Sequence, residues 1–142
     1  MNNEVHFSHN TDEWATPHDF FDKTAAEFGG FDLDVCATDD NHKCEQYYTI
    51  DNSGLDNPWA AKNWCNPPYS AIKAWVLKAR REQLRGNMTA MLIPARTDTV
   101  IFHESIYNQS NVEVRFIKGR LKFGEAKNSA PFPSMLVIFK PL

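Results

Sequence analysis

Residues 66 to 69, Asn-Pro-Pro-Tyr, are the strongest candidates for chemistry in this chain. The two prolines lack backbone N–H groups and fix φ, so they form a rigid turn that continues neither a central strand nor a helix. Asn66 adds a side-chain carbonyl acceptor, and Tyr69 adds an aromatic ring. Such acceptors bind the hydrogens of an amine while the ring stacks on the planar group that carries it. The structural alternative is a capped turn in which Ser70 begins the next helix.

The segments around this turn predict a strand before it and a helix after it. Residues 61–65 are a short strand candidate, and the helix runs from Ser70 to a stop at Gly86. Its apolar positions follow the i, i+3, i+4, i+7 rule: Ile72, Trp75, Val76 and Ala79. In an open parallel sheet, ligands bind at the carboxyl ends of the strands. The Asn-Pro-Pro-Tyr turn falls at that position.

The rest of the chain continues the alternation of helices and strands. Thr16 is expected to cap a first helix, with Pro17 at its first position and the glycine pair at 29–30 at its end. Asp98 is expected to cap a further helix over residues 99–108. Strands are predicted at residues 31–35, 47–50, 89–94, 112–117 and 135–139. This order predicts a single three-layer α/β domain over residues 1–142, with a mostly parallel sheet and no linker or repeat.

The composition indicates a soluble globular protein. The 142 residues are 42% hydrophobic, which is enough for a core without disulfides. No apolar run reaches the length of a membrane span and the first residues lack an apolar signal core, so a cytosolic location is expected. The three cysteines, Cys36, Cys44 and Cys65, follow no disulfide spacing, and with His42 they match no compact zinc pattern. We therefore expect no metal.

Charge is divided unevenly between the two halves of the chain. Residues 1–70 hold three Lys/Arg against thirteen Asp/Glu, and residues 71–142 hold twelve against five. The acidic half suits a small cationic ligand, and the basic half suits phosphates. The alternative is that these charges only cover solvated faces.

The motif and its neighbours resemble a known family. Asn-Pro-Pro-Tyr is similar to the catalytic motif of amino-group methyltransferases that use S-adenosylmethionine. More closely, the chain resembles the small phage DNA N-6-adenine methyltransferases of the Dam type. The matching landmarks lie in order along nearly the whole chain: Trp14-Ala15-Thr16-Pro17, FDLDVCA at 31–37, WCNPPY at 64–69, GRLKF at 119–123 and LVIF at 136–139.

The resemblance implies a compact Rossmann-like class I methyltransferase fold whose last strand is inserted antiparallel, and it implies a catalytic role for the turn. Asn66 and the carbonyl of Pro67 would accept hydrogen bonds from the adenine amine, Pro68 would keep the turn rigid, and Tyr69 would stack on a base flipped out of the duplex. The implied cofactor is S-adenosylmethionine, and the implied substrate is an adenine-containing site in double-stranded DNA. A phage-encoded enzyme of this kind would act in the cytoplasm of its host.

The resemblance also implies a cofactor site in the acidic half. Thr16 and Pro17 would touch the methionine end, Asp34 would meet the methionine amine, and an acidic residue of the loop at 51–58 would reach the adenosine or ribose. The full set expected at the cofactor is Trp14, Thr16, Pro17, Asp34, Cys36, Ala37, Asp51 and Asp56. Two alternatives stay open: Thr16 as a helix cap, and Asp34 as a solvated loop carboxylate.

Two features depart from the wider superfamily. The glycine-rich turn that usually follows the first strand is replaced by residues 34–37, and there is no room for a separate target-recognition domain. Sequence specificity would then come from loops, including residues 119–133, or from a partner subunit, for which a homodimer is one option. Five basic side chains would contact DNA phosphates: Arg96, Arg115, Lys118, Arg120 and Lys122.

Three functions are therefore compared. The landmarks along the whole chain favour a DNA adenine N6-methyltransferase. A methyltransferase acting on RNA or on a protein glutamine amide is the second option, because the motif recognises an amine on a planar group and not DNA as such. The third option is a non-catalytic nucleic-acid-binding module of the same fold, which the missing glycine-rich turn makes conceivable.

Overall fold

The computed structural model describes residues 15–122 and 132–142, in which helices and strands alternate. The helices are α1 (His18–Phe28), α2 (Ile72–Leu84) and α3 (Val100–Ser105). The strands are β1 (Leu33–Asp34), β2 (Lys62–Cys65), β3 (Met88–Pro94), β4 (Val112–Phe116) and β5 (Ser134–Phe139). Two short 3-10 helices lie at Ile50–Asn52 and Tyr69–Ala71. Within these described segments, no helix is long and apolar enough to cross a bilayer.

The strands of the described segments form a five-stranded sheet in the order β1-β2-β3-β5-β4. β1, β2 and β3 pair in parallel, whereas β5 lies antiparallel between β3 and β4. β4 therefore runs in the same direction as β1 to β3, and β5 is reversed. This confirms the prediction of a mostly parallel sheet with its last strand inserted antiparallel. The carboxyl ends of β1 to β4 consequently meet at one edge of the sheet, which we call the carboxyl edge.

Helices cover both faces of the sheet, because its central strands are apolar on both sides. Every residue of β3 and β5 is buried. On one face, α1 packs on a core cluster that includes Trp64, Leu92 and Ile138. On the other face, α2 and α3 pack on a cluster that includes Cys65, Met91 and Val137. The fold is thus three-layer α/β and consistent with a Rossmann-like methyltransferase fold, as predicted.

Two helix caps differ from the prediction by one residue. Pro17, and not Thr16, is the N-cap of α1, and it makes no side-chain capping bond. The Thr16 hydroxyl instead accepts a tertiary hydrogen bond from Asn66 Nδ2. Thr99, and not Asp98, caps α3, and its Oγ1 accepts a hydrogen bond from Phe102 N at 3.3 Å.

The start of α2 also differs from the prediction. Ser70 does not cap this helix, because it lies inside the 3-10 turn, and Ala71 is the N-cap without a side-chain bond. The cause is the extended backbone of Pro68, after which Ala71 N donates to Pro68 O at 3.0 Å and closes a tighter turn. The α-helix consequently begins two residues after Ser70, at Ile72.

The prediction of a strand at residues 47–50 is wrong. Tyr47 makes an isolated bridge with Asp34, and the chain then turns into a 3-10 helix. Thr49 and Asn52 form a capping box in which Asn52 Oδ1 accepts from Thr49 N at 2.8 Å. These local bonds use backbone groups that a strand would need. β1 is shorter than predicted, whereas the other four predicted strands are confirmed to within one residue at each end.

Candidate active site

The Asn-Pro-Pro-Tyr turn lies at the carboxyl edge, directly after Cys65, the last residue of β2. Pro67 is buried, and Pro68 has an extended backbone with φ −63° and ψ 139°. Tyr69 begins the 3-10 turn that leads to α2. Because two successive residues have fixed φ and no N–H, the turn is a rigid connection between β2 and α2.

Asn66 is held by a side chain that precedes α1. Its amide nitrogen, Nδ2, donates a hydrogen bond to Thr16 Oγ1 at 3.0 Å, across 50 residues of sequence. Thr16 is only 3% exposed, so this bond is shielded from water. Because the nitrogen points to Thr16, the amide oxygen is turned away from it, in the orientation that an acceptor role requires.

A cleft of about 150 Å³ lies beside Tyr69, between α2, α3 and the end of β3. Its polar rim includes Tyr69, Ser70, Lys73, Arg96 and Thr99, and apolar side chains of α3 and β5 form its floor. The cleft is smaller than pockets for drug-sized ligands, which usually have volumes of roughly 300 to 1,000 Å³.

The Tyr69 side chain packs against Phe132 and is uncharged. Its ring lies edge-on against Phe132, with 5.0 Å between the ring centroids and 83° between the planes. Burial raises the pKa of the Tyr69 hydroxyl well above its ordinary value, although Arg96 opposes the shift, so the side chain is neutral at physiological pH. Asn66 Oδ1 and Tyr69 Oη are both buried from solvent.

Asp34, the last residue of β1, is a buried carboxylate with 3% exposure. Its two oxygens accept backbone hydrogen bonds from Cys36 N at 3.3 Å and from Lys43 N at 2.9 Å. Desolvation outweighs these bonds and raises the pKa of Asp34 to about 6. The alternative of a solvated loop carboxylate is therefore wrong, and Asp34 is a buried group that is ionised at neutral pH.

The close backbone approach at the end of β1 comes from Gly54, a residue that sequence reasoning missed. A Cβ atom at this position would lie 2.2 Å from Val35 O and 3.1 Å from the Trp75 ring. Trp59 Nε1 donates to Gly54 O at 2.7 Å and holds the loop there. The signal in the sequence was a single glycine within a loop rich in Asp, Asn and Pro. This loop packs against the end of β1, beside the residues that replace a glycine-rich turn in this chain.

The remaining predicted cofactor residues are spread around β1. Asp51 and Asp56 are exposed on the same loop as Gly54. Cys36 is partly exposed, and Ala37 N donates to Tyr48 O at 2.9 Å, which ties the segment after β1 to that loop. The structure therefore brings Thr16 to the Asn-Pro-Pro-Tyr turn and leaves Asp34 at the end of the neighbouring strand. Trp14 lies outside the described residues.

The predicted DNA-contacting residues fall into two groups. Four are exposed at or near the carboxyl edge: Arg96, Lys118, Arg120 and Lys122. Arg115 differs, because its guanidinium binds both carboxylate oxygens of Glu27, at 2.7 and 2.5 Å, and also binds Glu113. These hydrogen bonds raise the pKa of Arg115 further above its ordinary value. Arg115 thus joins α1 to β4, and its charge is already compensated.

A metal site would require Cys36, His42, Cys44 and Cys65 to converge in the fold. In residues 15–122 and 132–142, no three His, Cys, Asp or Glu side chains are grouped so as to hold an ion. Cys36, Cys44 and Cys65, all within the described residues, are not joined in disulfides, and burial raises the pKa of the Cys65 thiol well above its ordinary value. The His42 ring stacks on Tyr47 with 4.0 Å between centroids. Cys65 thus behaves as a small apolar core residue.

Known proteins similar to this chain include two of phage origin. The DNA N-6-adenine-methyltransferase of Haemophilus phage HP1 (strain HP1c1) is 33% identical over 138 residues, which cover 92% of this chain and 79% of that protein. The protein of the same name from Escherichia phage T1 is 32% identical over 103 residues, which cover 71% of this chain. The match spans 43% of the phage T1 protein, less than half of its length.

A bacterial protein and a family-wide comparison extend this similarity. The putative methyltransferase YfdM of Escherichia coli (strain K12) is 35% identical over 65 residues, which cover 41% of this chain and 71% of that protein. A sequence model of the family described as DNA N-6-adenine-methyltransferase (Dam) matches residues 5–142, and this range contains the Asn-Pro-Pro-Tyr turn and all five strands of the sheet. The chain belongs to the DNA N-6-adenine-methyltransferase (Dam) family.

Proposed function

We propose that this protein transfers a methyl group from S-adenosylmethionine to the N6 amine of adenine in double-stranded DNA. Family membership supports the reaction class, because the two phage relatives are named for it. The observation that supports a role for particular atoms is the orientation of the Asn66 amide at the carboxyl edge. Its nitrogen is bonded to Thr16, so its oxygen is the part of the amide oriented to accept from another amine.

The target amine is bound by two acceptors on a rigid turn. Asn66 Oδ1 and Pro67 O accept its two hydrogens, which draws the nitrogen lone pair out of conjugation with the adenine ring. Tyr69 stacks on the base after it has left the duplex. Positioning the reactants accounts for most of the rate enhancement, and the amine releases its proton after the transfer, so no general base is needed.

The end of β1 fits a cationic cofactor that carries an adenosine group. Asp34 is buried and ionised above about pH 6, and a bound ammonium group would offset the cost of burying its charge. Gly54 lets the loop that carries Asp51 and Asp56 pack against β1, which keeps two carboxylates near the expected ribose. When bound, S-adenosylmethionine supplies the electrophilic methyl group.

DNA binds through the exposed basic residues near the carboxyl edge. Arg96 lies beside the cleft that holds Tyr69, and the basic residues at 118, 120 and 122 follow β4. We leave Arg115 out of this surface, because Glu27 and Glu113 already bind its guanidinium. In this proposal residues 1–142 act as one methyltransferase domain, and loops that include residues 119–133 read the target sequence.

Incubation with labelled S-adenosylmethionine tests the substrate. Unmethylated duplex DNA, an RNA of the same sequence and a glutamine-containing peptide are offered separately, and the products are identified by mass spectrometry. We expect N6-methyladenine in DNA. Label in RNA or in the peptide alone would support the second function instead. Calorimetry that detects no S-adenosylmethionine binding would support the non-catalytic module.

Replacement of Asn66 by alanine tests the catalytic turn. We expect Asn66→Ala to lower kcat by about a hundredfold, because one contact to the developing charge on the amine is lost. Asn87→Ala is the matched control, since it removes an amide that donates to Glu82 Oε1 at 2.8 Å near the opposite edge of the sheet. Its kcat should match that of the wild type. Full activity of Asn66→Ala would rule out the assigned role.

A further inference from the structure

We infer that Thr16 is a positioning residue that sets the orientation of the Asn66 amide. The inference rests on the proposed function of Asn66, and it gives Thr16 a role different from the helix cap and the cofactor contact expected from the sequence. The observation behind it is the 3.0 Å hydrogen bond from Asn66 Nδ2 to Thr16 Oγ1. α1 makes no use of this hydroxyl, because its N-cap is Pro17 without a side-chain bond.

The orientation matters because an asparagine amide can exchange the places of its oxygen and nitrogen by rotation. In one orientation the amide oxygen faces the adenine amine and accepts its hydrogen. In the other orientation the amide NH₂ group faces the amine, so two hydrogen-bond donors oppose each other. In the structure Thr16 Oγ1 is the acceptor for Nδ2, and this hydrogen bond stabilises the first orientation. Loss of the hydroxyl removes that stabilisation and brings the two orientations closer in free energy.

The backbone restricts both partners of this bond. Thr16 precedes Pro17 and Asn66 precedes Pro67, and a residue before proline is confined to extended conformations by the proline ring. Thr16 is also 3% exposed, so water does not compete for the bond. The hydrogen bond that orients the Asn66 amide therefore joins two residues of restricted backbone from distant parts of the chain.

Paired substitutions at Thr16 test the inference. Thr16→Val removes the hydroxyl and keeps the side-chain shape, and Thr16→Ser keeps the hydroxyl. The matched control is Thr24→Val, because Thr24 is another buried threonine of the same region whose Oγ1 donates to Phe20 O at 2.9 Å. We expect Thr16→Val to lower kcat about 10- to 100-fold, with little change in the KM for DNA or in the Kd for S-adenosylmethionine. Thr16→Ser should restore most of the turnover, and Thr24→Val should retain it.

The double variant Thr16→Val/Asn66→Ala separates positioning from an independent effect. If Thr16 acts through Asn66, the double variant should be no slower than Asn66→Ala alone. Additive losses would overturn the inference. A raised Kd for S-adenosylmethionine in Thr16→Val, with wild-type kcat at saturating cofactor, would overturn it in favour of a cofactor contact.

A spectroscopic measurement tests the inference without turnover. The side-chain amide signals of Asn66 in ¹H–¹⁵N spectra, assigned by their loss in Asn66→Ala, should move in Thr16→Val and stay in place in Thr24→Val. Unchanged signals in Thr16→Val would overturn the positioning role even if the wild type is active. A wild-type protein that methylates no DNA would instead refute the proposed function, so the two failures are distinguishable.

Discussion

The end of β2 and the end of β1 form neighbouring parts of the candidate site but are built in opposite ways. At β2, two prolines and the Thr16–Asn66 bond hold the turn, so its rigidity comes from restricted backbone and one shielded hydrogen bond. At β1, a two-residue strand ends in a buried carboxylate, and a loop anchored by Trp59 packs against it. Rigidity there comes from burial and close packing.

This difference implies different responses to change. A substitution in the turn at β2 should alter turnover with little effect on folding, because the prolines remain. A substitution at the end of β1 should alter folding, cofactor affinity and pH dependence together, because the same buried contacts serve all three. The proposed catalytic role of the Asn-Pro-Pro-Tyr turn and the proposed cofactor site at the end of β1 should therefore be separable by measurement.

Gly54→Ala is the strongest test of the β1 end. The added Cβ would lie 2.2 Å from Val35 O, so backbone must shift. We expect the free energy of unfolding to fall by about 1–3 kcal/mol or more and the affinity for S-adenosylmethionine to fall with it. Urea unfolding and calorimetry measure the two effects.

Gly86→Ala is the control for Gly54→Ala. Gly86 has φ +90°, and apart from its chain neighbours no atom of the described residues would lie within 4 Å of an added Cβ. The substitution therefore costs backbone strain of roughly 1–2 kcal/mol without a clash. It should lower stability and leave the affinity for S-adenosylmethionine unchanged. Wild-type affinity in Gly54→Ala would show that the close approach does not serve the cofactor.

The pH dependence of cofactor binding tests Asp34. Its carboxylate must be ionised to pair with the methionine ammonium, and burial raises its pKa to about 6. We expect the affinity for S-adenosylmethionine to be constant above about pH 7 and to fall by up to about tenfold per pH unit below pH 6. Asp34→Asn should bind weakly with no such dependence in calorimetry between pH 5 and 8. A flat profile in the wild type would contradict the assignment.

The same carboxyl group should make folding depend on pH. Its pKa rises from an ordinary 3.8 to about 6 in the folded protein, so the protonated form is favoured by folding. This stabilisation is complete below about pH 3.8 and is lost as the pH rises through 6. Two pKa units correspond to roughly 3 kcal/mol. The stability of the wild type relative to Asp34→Asn should fall by about that amount between pH 4 and 7 in urea unfolding; a constant difference would contradict the burial.

Local patterns in the sequence were sufficient for four of the five strands and for the position of the Asn-Pro-Pro-Tyr turn after β2. β3 and β5 are continuous apolar runs because they are buried on both faces, and this pattern is visible without any tertiary information. The position of Asn66 after β2 also follows from local pattern. Caps were misplaced by one residue where two capping residues are adjacent, as at Asp98 and Thr99, because either could accept the first helical N–H group.

Long-range contacts could not be read from the sequence. The Thr16 hydroxyl suited a helix cap until the structure brought Asn66 to it. A solvated loop carboxylate stayed open as an alternative for Asp34, because the loop that covers it follows in sequence and carries polar residues. The strand predicted at 47–50 failed because the Thr49 and Asn52 side chains compete for its backbone groups. In each case a polar side chain had several partners available, and packing decided between them.

The smallest expected effect concerns Arg115, which binds Glu27 near the C-terminal end of α1. Thr16 lies before the N-terminal end of the same helix. If the β2 end is rigid by its own prolines and hydrogen bond, loosening the ion pairs of Arg115 should not reach it. We expect Arg115→Gln to lower thermal stability slightly and to leave kcat and DNA affinity unchanged, because exposed ion pairs contribute little.

Arg120→Gln is the contrasting variant, since it removes an exposed charge at the carboxyl edge. Anisotropy titrations at several salt concentrations should show weaker DNA binding and a salt slope smaller by about one in Arg120→Gln alone. A reduced salt slope in Arg115→Gln would return that residue to the DNA surface, and a reduced kcat would mean that the catalytic turn depends on the packing of α1 as well as on its own restricted backbone.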